Sequence, residues 1–206
     1  MKILFLHGLG QNKASWDKTI QLLNCKDVNC VNMILNDVEN QSFNSLAHEL
    51  ECILIEESSP LILCGLSLGA VLGLELYFRQ SKKIAALILI APQYKMPTFI
   101  MDIQNIIFRL LPNRSFSKLG ISKKNMISIS SSMRSIDYTN RIKNIVCPVY
   151  IICGENDKAN KKAAEKLNGL LLNSHIELVD SSKHEVNIDN PDELAKIINR
   201  IYEEIK

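Results

Sequence analysis

Short apolar runs alternate along the chain with longer amphipathic stretches. Lys2–Leu6, Val31–Leu35, Pro60–Cys64, Ile84–Ile90, Val149–Cys153 and Ser174–Val179 are too short for helices. Most of them lack apolar–polar alternation, the pattern of strands covered on both faces. Helical spacing runs near Lys13–Leu23, Ser45–Glu57, Ser67–Arg79, Asn160–Leu171 and Pro191–Ile205; in the second, Leu46, Leu50, Ile53 and Leu54 share one face. The last opens with Asn190 as cap, Pro191 at the first helical position, and Asp192 and Glu193 at the positive end of the helix dipole. Alternating strands and helices predict an α/β fold, a mainly parallel sheet with helices on both faces.

One interval breaks the rhythm. From Gln93 to Asn140 no strand pattern occurs. Phe99, Ile103, Ile106, Ile107, Leu110 and Leu111 form an apolar helical stripe ended by Pro112, and a serine-rich stretch, Ser128 to Ser135, follows. A connection this long inside one domain is expected to be functional or a small subdomain, with a crossover helix packed on the sheet as the alternative.

Composition narrows the class. The 206 residues suit one domain, and a chain of this size buries enough surface to need no disulfide or metal staple. A net charge of +2, with lysines scattered apart from pairs such as Lys82-Lys83, Lys123-Lys124 and Lys161-Lys162, gives no polyanion-binding signature, so nucleic acid is not expected as a partner. The longest apolar run, Ile84 to Pro92, is too short to cross a membrane, which takes about 20 helical residues. The N-terminal run breaks at His7-Gly8 before a secretory apolar core develops. Six cysteines without a Cys-x-x-Cys pair, several inside apolar runs, predict a reduced, cytoplasmic chain without a disulfide framework.

Glycine is scarce, with eight in the chain, so its positions carry information. Gly65-Leu66-Ser67-Leu68-Gly69 follows an apolar strand and opens a helix. A serine on so tight a turn is strained, and side chains two residues to either side would collide, which favours glycine at both. Its hydroxyl then projects above the sheet at the positive end of a helix. Serine needs a base to act as a nucleophile at neutral pH. Of four histidines, His48 lies in a helical pattern, His175 opens a strand, and His7 sits at a strand end where it serves the turn. His184 lies in a polar loop after the last strand, on the side of an open sheet where ligands bind. A carboxylate must orient that imidazole. Asp157, in Gly154-Glu155-Asn156-Asp157-Lys158 after the fifth strand, is preferred because two further residues let the loop turn back, and Glu155 is the rival. His7-Gly8-Leu9-Gly10 supplies a flexible turn whose Leu9 N–H, with that of Leu68, is suited to hold one oxyanion. No clustered His/Asp set suggests a metal, and no cofactor is expected.

These four stretches, in this order, resemble the α/β-hydrolase family over nearly the whole chain. The resemblance implies Ser67 as nucleophile, His184 as base, Asp157 as orienting acid, and Leu9 and Leu68 as oxyanion donors. It further implies an α/β-hydrolase fold of about six strands, since the strands that precede the His-Gly turn in larger members are absent. Residues 1–92 and 141–206 would form the core, with 93–140 a cap over the site. Small carboxylesterases and thioesterase-like members are nearest in size. The expected activity is acyl hydrolysis of a small-molecule ester or thioester, with Met96, Phe99, Ile100, Ile103 and Ile107 of the cap as a pocket for an apolar group. Carbon–carbon hydrolysis or lyase chemistry, or a ligand-sensing or partner-binding protein without turnover, are the alternatives, because the fold hosts all of them. Oligomeric state is not encoded in any of these features.

Overall fold

Both faces of the sheet are buried, which explains why the strands read as near-continuous apolar runs. A computed structural model describes residues 1–34, 38, 40–117 and 119–206. In chain order it contains β1 (Ile3–Leu6), α1 (Asp17–Gln21) after a 3₁₀ turn at Lys13–Trp16, β2 (Val28–Val31), α2 (Phe43–Glu56), β3 (Leu61–Leu66) and α3 (Leu68–Gln80). There follow β4 (Ile84–Ile90), α4 (Thr98–Leu110), α5 (Asn113–Ser117), α6 (Lys123–Met133) and β5 (Val149–Gly154). The chain ends with α7 (Lys158–Leu170), β6 (Ser174–Val179), α8 (Val186–Asp189) and α9 (Pro191–Ile205).

Six strands pair in the order β2-β1-β3-β4-β5-β6, every neighbour parallel. Successive residues point to opposite faces and so divide between two cores. Leu4, Leu6, Leu61, Leu63, Leu87 and Leu89 pack with α2, α3 and α7 on one side. Ile3, Phe5, Ile62, Cys64, Ile88 and Ile90 pack with Trp16 and the buried stripe of α9 on the other. Strand order switches at β1: β2 is added on one side of it and β3 to β6 on the other, so the loops after the parallel neighbours β1 and β3 leave the same carboxyl edge side by side, the place where open α/β sheets bind ligands.

One expected strand shifts, and one stretch to which the sequence assigned no element gains a helix. The second strand covers Val28–Val31 rather than Val31–Leu35; Met33 and Ile34 are buried beyond its end, and Leu35 lies outside the described residues. Residues 28–31 win because they align with Ile3–Leu6 across the ladder, while Met33 and Ile34 turn into the core and the Met33 N–H donates to His7 Nε2 at 3.2 Å. The serine-rich stretch is mostly helix α6. Met126, Ile129, Ser130 and Met133 recur at helical spacing and are buried, and Ser122 caps the first turn by accepting from the Asn125 N–H.

Between β4 and β5 the chain leaves the sheet to form α4, α5 and α6. The two ends of this excursion meet: Lys95 and Asp137 form an antiparallel bridge, the Met96 N–H donates to Ile136 O at 2.9 Å and the Tyr138 N–H to Tyr94 O at 2.8 Å. The Tyr138 hydroxyl donates to Glu75 of α3 at 3.0 Å, and the Arg141 guanidinium lies 4.1 Å from the centre of the Phe78 ring.

Candidate active site

Ser67 joins β3 to α3 with φ 53° and ψ −109°, a conformation that a residue with a side chain adopts only where its surroundings enforce it. The enforcement is the approach of backbone to backbone. A Cβ on Gly65 would lie 2.3 Å from Gly69 O, and one on Gly69 would lie 2.3 Å from Leu6 O of β1. Both glycines are therefore required by packing, as the sequence pattern predicts. The Ser67 N–H donates to Ile90 O at 2.9 Å, which fixes the turn against β4. Its Oγ makes no hydrogen bond among the described residues and lines a cavity of about 840 Å³.

His184 lines the same cavity. Its Nδ1 donates to Asp157 Oδ2 at 2.8 Å, and its Nε2 has no partner among the described residues. The expected hydrogen bond from Ser67 Oγ to Nε2 is not formed. The acid and base loops are clamped together by backbone: the Asn156 N–H donates to Ser182 O at 2.9 Å, and a Cβ on Gly154 would lie 2.1 Å from Lys183 O. Asp157, not Glu155, meets the imidazole; Glu155 is exposed.

Asp157 also caps α7, accepting from the Asn160 N–H at 3.2 Å. The Asn160 side-chain amide donates to both carboxylate oxygens, at 2.9 and 2.8 Å, and its own oxygen accepts from Gln93 Nε2 at 2.8 Å. The Asn160 amide nitrogen lies 3.1 Å from His184 Nδ1, so two donors share one carboxylate. That assigns the proton to Nδ1 and leaves Nε2 as an acceptor, the form a general base requires. Burial alone would raise the Asp157 carboxyl; the hydrogen bonds from His184 and Asn160 outweigh it and hold the group below its ordinary value.

The opposite wall is the turn after β1. Leu9 and Leu68 both line the cavity, and neither N–H donates to a protein acceptor among the described residues. The Leu68 N–H is one of the unsatisfied donors at the start of α3. Gln11 steadies this turn: its Oε1 accepts from the Gly8 N–H at 3.3 Å, and its Nε2 donates to Glu185, next to His184, at 2.8 Å. His7 is fully buried, with Nδ1 donating to Gly8 O at 2.9 Å and Nε2 accepting from the Met33 N–H. Burial lowers its pKa, the backbone bond opposing, so it holds the turn as a neutral ring.

Of the residues expected to form an apolar pocket, Met96 and Ile100 line the cavity. Phe99, Ile103 and Ile107 do not: they lie on the outer, solvent-exposed side of α4. The helix carries apolar residues on two faces, and it is Met101 and Phe108 that turn toward the cavity, so spacing alone could not say which face points in. Sequence reasoning misses Asn160, Gln93 and Gln11. For Asn160 a signal exists, a polar residue three positions after an Asp at a helix start; Gln93 and Gln11 act through contacts between distant loops. Lys162 and Lys166 stand at the cavity rim.

Cys153, close to Asp157, offers no competing nucleophile: burial and the charge of Asp157 push it up to about 12. Among the described residues no group of three His, Cys, Asp or Glu side chains is arranged to hold a metal ion.

Comparison with known proteins agrees with this architecture. The family model for serine aminopeptidase, S33, matches residues 40–141, just under half of the chain and including the Ser67 turn. No curated protein matches. MenH from S. aureus superposes with a TM-score of 0.87 at 18% identity, over 100% of this chain and 94% of that one. The enol-lactonase from Burkholderia xenovorans LB400 gives 0.84 at 15% identity, over 98% and 91%. A thermophilic esterase from Thermogutta terrifontis gives 0.81 at 14%, over 100% and 90%. With its six-stranded parallel sheet, its serine between β3 and α3 and these likenesses over the full length, the chain has the α/β-hydrolase fold.

Proposed function

We propose that the protein is a serine hydrolase that cleaves a small carboxylic ester or thioester through an acyl-enzyme on Ser67. The observation that carries this reading is the Asp157–His184 hydrogen bond of 2.8 Å beside a cavity into which a strained, unpartnered serine also opens. His184 Nε2 takes the Ser67 proton as Oγ attacks the acyl carbon. The oxyanion is held by the Leu9 and Leu68 N–H groups, each of which contributes about 2.7–4 kcal/mol to the transition state in comparable sites. His184 then protonates the leaving alcohol or thiol, and activates water to release the acid and restore Ser67. Asp157, steadied by Asn160 and Gln93, keeps the imidazole oriented and stabilises its cationic form. Residues 93–140 act as a cap, and Met96, Ile100, Met101 and Phe108 supply an apolar wall suited to an acyl chain.

The missing Ser67–His184 hydrogen bond favours one rival, in which His184 acts as a general base in a lyase or carbon–carbon cleavage and Ser67 never becomes acylated. Two measurements separate them. A fluorophosphonate should label Ser67 stoichiometrically, and p-nitrophenyl esters should be turned over with a burst that Ser67→Ala abolishes. Equal turnover by wild type and Ser67→Ala, with no labelled peptide, removes the acyl-enzyme.

A further inference from the structure

The outer face of α4 is an apolar surface that none of the described residues covers. At about 100° per residue, Phe99, Ile100, Ile103, Ile106, Ile107 and Leu110 fall within an arc of roughly 120°, and Phe99 and Leu110 are 75% and 81% exposed. An arc of that width ordinarily faces a core. Here the core-facing side of the helix is separate, formed by Met101, Asn105 and Phe108, of which Met101 and Asn105 are buried.

Charge indicates what covers it. The segment 93–140 carries seven Lys or Arg and two Asp. Both acids are already engaged: Asp102 by Arg134 at 2.6 Å and Asp137 by Lys95 at 2.9 Å. Arg109 on α4 and Arg114 on α5 have no ion pair among the described residues. Lys123 reaches the end of α4, donating to Arg109 O and Leu111 O at 2.7 Å each. On the other flank Lys162 and Lys166 share the cavity rim with Ile100 and Gln104, again without an ion pair among the described residues. A second copy of the same face would bring these like charges together. An anionic surface would neutralise them while its interior takes up the side chains. The face also runs into the cavity: Ile100 and Leu119 are exposed and line it as well.

From this we infer that α4 is a docking surface for an anionic lipid layer, with the helix lying in the headgroup plane and the cavity mouth facing the lipid. Thirteen residues of helix reach only about 20 Å, short of a bilayer's hydrocarbon thickness, so α4 lies on the layer and does not cross it. Apolar insertion supplies the grip. The basic rim adds roughly a fivefold preference per charge for anionic headgroups, and that preference weakens as salt rises.

Vesicle flotation tests this with the intact protein. Wild type should float with vesicles of phosphatidylcholine mixed with phosphatidylglycerol and bind pure phosphatidylcholine at least about tenfold more weakly. Ile106→Glu/Leu110→Glu should lose binding to the mixed vesicles by more than about tenfold, and Arg109→Glu/Arg114→Glu should lose the anionic preference. Both pairs are exposed and outside the cavity lining, so turnover of a soluble ester and the circular dichroism spectrum should stay at wild-type values. Ser67→Ala should float like wild type, which separates docking from the hydrolase reading. No binding to either vesicle, equal binding to both, or a concentration-dependent dimer that Ile106→Glu/Leu110→Glu abolishes would each overturn the proposal.

Discussion

Replacing Gly154 with alanine drives a methyl group into the backbone of the loop that carries His184. The new Cβ would sit 2.1 Å from Lys183 O and 2.6 Å from Ser182 O. Both obstacles are main chain, so relief comes from separating the two loops rather than from turning a side chain. Ordinary contact begins at 3.4 Å, which requires an opening of more than 1 Å. His184 is the next residue after Lys183, so the same movement stretches its 2.8 Å bond to Asp157 beyond hydrogen-bonding reach. It also breaks the 2.9 Å bond from the Asn156 N–H to Ser182 O. Misplacement on this scale costs about 100-fold in rate, and forced overpacking costs about 1–3 kcal/mol in stability. Kinetics with a soluble p-nitrophenyl ester read the first and urea unfolding the second. Gly169→Ala is the control, because no atom lies within 4 Å of where its methyl group would sit and α7 gains up to about 1 kcal/mol from the better helix former. If Gly154→Ala matches wild type in both rate and stability, the clamp between the acid and base loops is not what holds the site together.

Asn160→Ala removes a donor to both Asp157 oxygens; a hydrogen bond to a charged group is worth about 1.5–3 kcal/mol, so kcat should fall roughly 10- to 150-fold with KM nearly unchanged. Because the Asp157 carboxyl is held below its ordinary value, it contributes stability above about pH 3.8 and loses it as pH falls through the lowered value. Urea midpoints of wild type and Asp157→Asn should therefore differ at neutral pH and converge in acid. His7 has the opposite chemistry and the same trend: the unfolded chain takes a proton near pH 6.5 that the buried ring refuses. Stability should fall from pH 7 toward 5, and His7→Gln should flatten that slope. Gln11→Ala should slow turnover and raise the mobility of the turn after β1, read by hydrogen exchange at Gly8 and Leu9, because it cuts the link to Glu185.

How much of this is legible in the sequence depends on whether the determinant is local. The Ser67 turn is readable because its cause, two backbone approaches at Gly65 and Gly69, leaves a mark within five residues. The last helix is readable to its ends, Pro191–Ile205, because Asn190 and Pro191 fix its start. Strand β2 is misplaced by apolarity alone, because pairing with β1 sets its limits. The serine-rich α6 escapes because serine's weak helical propensity hides the apolar spacing beneath it. Loop length alone favours Asp157 over Glu155. The Asn160–Gln93 bridge spans 67 positions of sequence, and no pattern along the chain announces it.

The excursion that carries α4 begins and ends side by side, at Lys95 and Asp137, and is pinned there to α3, the helix that starts directly after Ser67. A segment anchored in that way is a cassette. Exchanging it for a relative's should re-thread no strand, and under the proposed cap reading such a graft should move substrate preference while the sheet and its three loops keep their places.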